Sequence, residues 1–279
     1  MQSLESSSPG NNWGLKSFKQ LPRTKAFVRV FVLLASILTV SSLPLFFNFG
    51  QGFGFELLTK VDFFLALLLL NQEGVQLKDW FKTRFALPKK KAAFVIGGAL
   101  AILPAIFAAL SHRLLLGYYP QFKMIPFSGH VFGYFLVSTL QTSFEDISWR
   151  GIILPRALYL FPGVITLVVL GFFWGWWHIP FHLSIDYSYP EQIPRSLFYF
   201  VCVFIAFFTV FAYSEGSILP MLFTHGLYNT VVAYTSYNIA NIEGYSDLEV
   251  FSYFKLIYMV LISTLVFLSL SKEKKYNIS

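Results

Sequence analysis

Residues 196–214 read SLFYFVCVFIAFFTVFAYS, a run without one charged side chain. Spanning the hydrocarbon core of a bilayer takes about 20 mostly apolar residues, and this run is that long. In lipid each backbone N–H and C=O must be satisfied inside its own segment, so such a run becomes a helix. Ala92–Leu110 is likewise uncharged, and Phe161–Phe181 and Ser217–Ile242 hold no charged group beyond a histidine. These runs are too long and unbroken for the alternating strands of an outer-membrane barrel. The expectation is an all-α, polytopic transmembrane helix bundle of about eight spans, at roughly 26–48, 53–71, 92–116, 129–159, 162–182, 195–214, 217–240 and 251–270. The second is the weakest, because Glu56, Lys60 and Asp62 mark it as tilted or interfacial.

Composition excludes a soluble domain. Of the 279 residues 56% are hydrophobic and 13% charged, against about 25% charged in soluble domains. The net charge of +7 does not point to nucleic acid, because the basic residues gather at the ends of apolar runs. Lys78, Lys82, Arg84, Lys89, Lys90 and Lys91 lie in the connection 72–91, and Lys272, Lys274 and Lys275 follow the last run. Connections 183–194 and 241–250 carry no Lys or Arg. With eight spans and a cytosolic N-terminus, every basic segment falls on one side, as orientation in a membrane requires. The reading is therefore a multi-pass protein of a bacterial cytoplasmic membrane with cytosolic termini. Residues 1–24 are expected as a disordered cytosolic tail, 25–271 as the bundle and 272–279 as a second tail. The first apolar run lacks a small-residue cleavage site and is expected to be a retained span. The single cysteine, Cys202, allows no intrachain disulfide.

Ionisable residues inside a membrane are costly and are functional candidates by default. Three groups stand out: Glu145-Asp146-Ile-Ser-Trp-Arg150, Trp174-Gly-Trp-Trp-His178 and His225-Gly-Leu-Tyr-Asn229. Residues at i and i+4 share a helix face. Asp146 can thus pair with Arg150, Trp174 lies on the face of His178, and His225 and Asn229 point in one direction.

Phe161-Pro162-Gly163 is a strong turn signal between the fourth and fifth spans. Glu145 lies 17 residues before Pro162 and His178 lies 16 after it. In an antiparallel hairpin both then sit roughly 25 Å from the turn. His225, about 14 Å from the turn before the seventh span, is within reach given ordinary helix tilt. Glu145, His178 and His225 are expected to converge inside the membrane.

A carboxylate and two imidazoles around a wet cavity could activate water by general base catalysis and stabilise an oxyanion. They could equally hold a divalent metal, such as zinc, at Glu145, His178 and His225. Both readings are hydrolytic. Asn229 would add a hydrogen-bond donor toward an oxyanion.

In this order the three groups resemble the CAAX protease and bacteriocin-processing family of intramembrane proteases, also called the Abi family. Its motifs are Glu-Glu-x-x-x-Arg, Phe-x-x-x-His and His-x-x-x-Asn/Asp. Here they read Glu145-Asp146-x-x-x-Arg150, Trp174-x-x-x-His178 and His225-x-x-x-Asn229, with Asp for the second Glu and Trp for Phe. Arg150-Gly151, Leu154-Pro155-Arg156 and His178-Ile-Pro180 also look like the family. The resemblance covers about residues 130–235. It implies an intramembrane endopeptidase acting on a membrane-associated protein or peptide, either as a metalloprotease or by a metal-free glutamate mechanism. Glu145 and His178 would activate water, His225 and Asn229 would form the oxyanion hole, and Asp146, Arg150 and Trp174 would support them. Eukaryotic relatives cleave prenylated C-terminal tails; bacterial relatives are associated with peptide maturation, bacteriocin immunity or processing of sorting-tagged proteins.

Simpler readings stand beside these. Asp146–Arg150 could be a structural ion pair, and an intramembrane histidine can be a packing residue. His182 completes a zinc-like His-x-x-x-His, but Pro180 intervenes. His112 and His130, near span ends, are expected to be solvated. A catalytically silent scaffold of the same family and a proton- or ion-coupled transporter remain the alternative functions.

Overall fold

The computed structural model of the protein describes residues 15–47, 53–117, 129–185, 193–242, 253–262, 264–265 and 268. The C-terminal tail 272–279 and the acidic connection 243–250 lie outside the described residues. The helices are α1 (Lys16–Lys19), α2 (Arg23–Phe47), α3 (Phe53–Gln72), α4 (Leu77–Arg84), α5 (Ala92–Leu116), α6 (Gly129–Asp146), α7 (Leu154–Leu160), α8 (Gly163–Ile185), α9 (Ile193–Tyr213) and α10 (Leu219–Ile242). A last apolar helix, α11, covers Tyr253–Ile262. No strand occurs among the described residues.

Among the described residues, four helical stretches are long and apolar enough by themselves to cross a membrane: Arg23–Leu43, Ala92–Leu116, Gly163–Pro180 and Ile193–Tyr213. Their outward side chains are apolar and exposed, among them Phe31, Val95, Leu114, Ile165 and Phe198. That is the surface a protein presents to lipid, and the chain is an integral membrane protein. Among the described residues, length and apolarity mark four helices. The others carry polar residues on inward faces, such as Asp62 on α3 and Glu145 and Asp146 on α6. These lower apolarity without facing lipid.

Glycine sets the closest helix contacts, as in membrane bundles generally. A Cβ at Gly171 would stand 2.9 Å from the Val201 Cα, so α8 lies directly on the backbone of α9. A Cβ at Gly226 would overlap Thr139, so α10 lies equally close to α6. The two helices on either side of the polar groups are thereby held against it.

Between α6 and α7 the chain does not continue as a plain α-helix. Ile147–Ile153 forms a π-helical stretch, closed by the Leu154 N–H on the Trp149 carbonyl. The cause lies one step on. Pro155 has no N–H to give, and its ring would crowd the carbonyl four residues back. A wider i→i+5 winding relieves that clash, and π stretches often mark functional sites. Every residue from Glu145 to Ala157 is buried. This segment is the centre of the main core, with Trp80, Trp149, Phe204, Phe207 and Phe211 around it.

From Leu15 onward the expected N-terminal tail is folded; residues 1–14 lie outside the described residues. Leu15 and Phe18, three apart and so on one face, are buried with Ala26 and Val30. The Arg156 guanidinium lies 5.4 Å over the Phe18 ring. His112 departs from expectation too: it is fully buried on α5, whereas His130 is exposed. His112 sits on the face of Ala101, Ala105 and Ala108, which turns inward, so nearness to a helix end did not carry it to solvent.

Candidate active site

The polar residues of α6, the π stretch, α8 and α10 meet in one buried cluster. Arg150 donates through one guanidinium nitrogen to Oδ1 of Asp146 at 2.5 Å, one helical turn away. The same nitrogen stands 3.9 Å from Oε1 of Glu145. Asp146 uses its other oxygen, Oδ2, to accept a hydrogen bond from Nδ1 of His225 at 2.9 Å. The indole N–H of Trp174 donates to Oε1 of Glu145.

Arg150 is fully buried, and aromatic rings surround it: Trp174 at 4.5 Å, Phe204 at 4.8 Å and Phe207 at 5.1 Å from the guanidinium carbon. A desolvated cation over an aromatic face gains about 2 kcal/mol. The two carboxylates offset the rest of the cost of burying it. Removing one partner of such a pair costs about 3–5 kcal/mol, because the other charge is left uncompensated.

His178 enters through Trp174. Its Nδ1 is 2.7 Å from the backbone carbonyl of Trp174, one turn before it. A carbonyl can only accept, so Nδ1 carries the proton and Nε2 is the basic nitrogen. The imidazole lies edge-on to Trp174 at 4.8 Å and stacks on Phe200 at 4.5 Å. Asn229 is half-buried on α10, one turn beyond His225. The side chain of His182 lies outside the described residues.

The indole of Trp174, one turn before His178 on α8, reaches the Glu145 carboxylate from across the Pro162 turn.

Glu145, Asp146 and His225 form a buried group that could hold a metal ion, with ligand atoms all within 4.8 Å of one another. The set differs from the expected Glu145, His178 and His225: Asp146 takes the place of His178. The donor types suit a divalent ion. Two features of the structure oppose it. Both oxygens of Asp146 are already engaged, by Arg150 and by His225. Arg150 also places a fixed positive charge beside both carboxylates.

Residues 127–231 match the family model of type II CAAX prenyl endopeptidases, Rce1-like. Over this segment the chain is similar to that CAAX protease family. The segment contains all three motif groups and the whole buried cluster. The family is proteolytic, which supports reading the chain as a protease. No curated protein matches the chain significantly.

Trp174, expected to support the site as an aromatic on the face of His178, also holds Glu145 through its indole. Asp62 was expected to mark a tilted or interfacial stretch, and it is fully buried on α3. A signal for Asp62 existed in the sequence. Asp62, Ala66, Leu69, Leu70 and Glu73 fall on one helical stripe, and all five are buried.

Proposed function

We propose that the chain is an intramembrane endopeptidase that hydrolyses a peptide bond in a membrane-anchored, CAAX-type tail by a metal-free glutamate mechanism. The observation that carries this reading is the Glu145 carboxylate, held by the Trp174 indole beside an Asp146–His225 pair within buried helices. Trp174 and Arg150 both address Oε1 of Glu145, which leaves Oε2 for water.

In the proposed reaction Glu145 takes a proton from water as the water oxygen bonds to the scissile carbonyl carbon. The C=O pair moves onto oxygen. His225 Nε2–H and the Asn229 amide donate to that oxyanion. In that step His225 carries a proton on each ring nitrogen, Nδ1–H toward Asp146 and Nε2–H toward the oxyanion. His178 accepts the second proton of the water at Nε2. The intermediate collapses by breaking C–N, and the leaving nitrogen takes the proton back from Glu145. If a divalent ion does bind Glu145, Asp146 and His225, it would supply Lewis-acid activation of water.

The catalytic core is placed at about residues 130–235 of a bundle spanning 25–271, with the basic connections on the cytosolic side of a bacterial membrane. The test is direct. Purified protein in lipid nanodiscs is incubated with a farnesylated CAAX peptide, and products are read by mass spectrometry. Two fragments from one internal cleavage support the proposal; an intact peptide at high enzyme concentration argues against a CAAX-type substrate.

A further inference from the structure

Asp62 lies in no motif group, yet α3 carries it to the catalytic cluster. The register of α3 on the α6–α7 helix is fixed at two places. Phe63 packs edge-on against Phe144 with ring centroids 5.2 Å apart. Eleven residues beyond Asp62, Glu73 makes a buried two-pronged ion pair with Arg156. The helices therefore run side by side in the same direction, and Asp62 comes to the level of Glu145 and Trp149. Its carboxylate is close enough to Glu145 for a direct electrostatic interaction, and it faces the Trp149 indole. Asp62 is fully buried, and neither oxygen has a well-formed hydrogen bond; nor has the Trp149 indole nitrogen.

A carboxylate presents about four acceptor sites. Burying them empty costs more than almost any other arrangement of a side chain. A leucine would pack there without that cost. Such a group is stabilised when water stands between it and a second polar group, and a buried water needs two to four such partners. Oε2 of Glu145 is a further group for the same water.

We propose that Asp62 is a further catalytic residue: it accepts a hydrogen bond from the water that Glu145 deprotonates, and so fixes the direction of the water's attacking lone pair. Asp62 itself gains and loses no proton in this role. The inference rests on the proposed hydrolytic site.

Wild type, Asp62→Leu, Asp62→Asn and Glu145→Gln are compared in nanodiscs for thermal melting and for kcat and KM on a farnesylated CAAX peptide. Asp62→Leu should melt at or above wild type, because it removes a buried carboxylate that has no well-formed hydrogen bond. Its kcat should fall about 10- to 100-fold, the scale of a misplaced reactant, with KM little changed. Asp62→Asn keeps the shape and one acceptor oxygen, and its kcat should fall less. Wild-type kcat in both Asp62 variants, with Glu145→Gln inactive, would overturn the role of Asp62 and leave the site reading intact. Full activity in Glu145→Gln would remove the site reading itself. Should Asp62→Leu fail to fold, Asp62→Asn decides: a several-fold loss of kcat supports the proposal, and an unchanged kcat overturns it.

Discussion

His225 donates its Nδ1 proton to Oδ2 of Asp146 across 2.9 Å, while Oδ1 of the same carboxylate takes Arg150. One side chain thus joins α6, the π stretch and α10. In the proposed mechanism this bond orients the imidazole so that Nε2 faces the substrate oxygen.

Asp146→Asn tests that bond. The amide keeps the shape, but it loses the negative charge beside His225 and can offer Arg150 or His225 a donor where an acceptor is needed. The expected result is a fall in kcat of about 100-fold, the scale of one disabled oxyanion donor, with a smaller change in KM. Steady-state kinetics on the farnesylated peptide reads it. An unchanged kcat would mean that His225 works without Asp146.

Arg150 and Glu145 should separate stability from chemistry. Arg150→Ala leaves Asp146 and Glu145 without their cation in a buried site and should cost about 3–5 kcal/mol. Glu145→Ala removes the acceptor of the Trp174 indole, but Arg150 keeps its bond to Asp146, so the change should cost less, about 1.5–3 kcal/mol. Fluorescence-detected size exclusion of tagged protein from membranes measures both. Equal loss of folded protein in the two variants would contradict this division.

Trp174 stands where the family motif has phenylalanine, and it brings an N–H that phenylalanine lacks. Trp174→Phe keeps a ring over Arg150 but removes the donor to Glu145. Hydrogen bonds to charged groups are worth about 1.5–3 kcal/mol, and the melting temperature should fall accordingly. Cleavage should persist, since Arg150 still addresses Glu145 and Oε2 is untouched. Loss of all activity in a folded Trp174→Phe would give the indole a chemical role this account does not assign.

Much of this was legible in the residues. Uncharged runs such as 196–214 declared the helices, and i, i+4 spacing declared the Asp146–Arg150 pair. Other features needed three dimensions. The number of crossing helices was blurred because inward polar residues lower apolarity without meeting lipid. The π stretch at Ile147–Ile153 was not legible from helix arithmetic, which assumes α geometry throughout. Asp62 was read with Glu56 and Lys60 as one polar patch, although Lys60 is exposed and Asp62 lies on the buried stripe. The bond from Asp146 to His225 joins residues 79 apart in sequence, a separation that local pattern does not reach.

The most direct measurement of the central claim is cleavage of the farnesylated CAAX peptide by wild type, Glu145→Gln and His178→Ala, each before and after exhaustive chelation. The account predicts that wild type keeps its rate through chelation, and that both variants are folded and inactive. Activity lost on chelation and restored by zinc would contradict the metal-free mechanism, and full activity in Glu145→Gln would contradict the site.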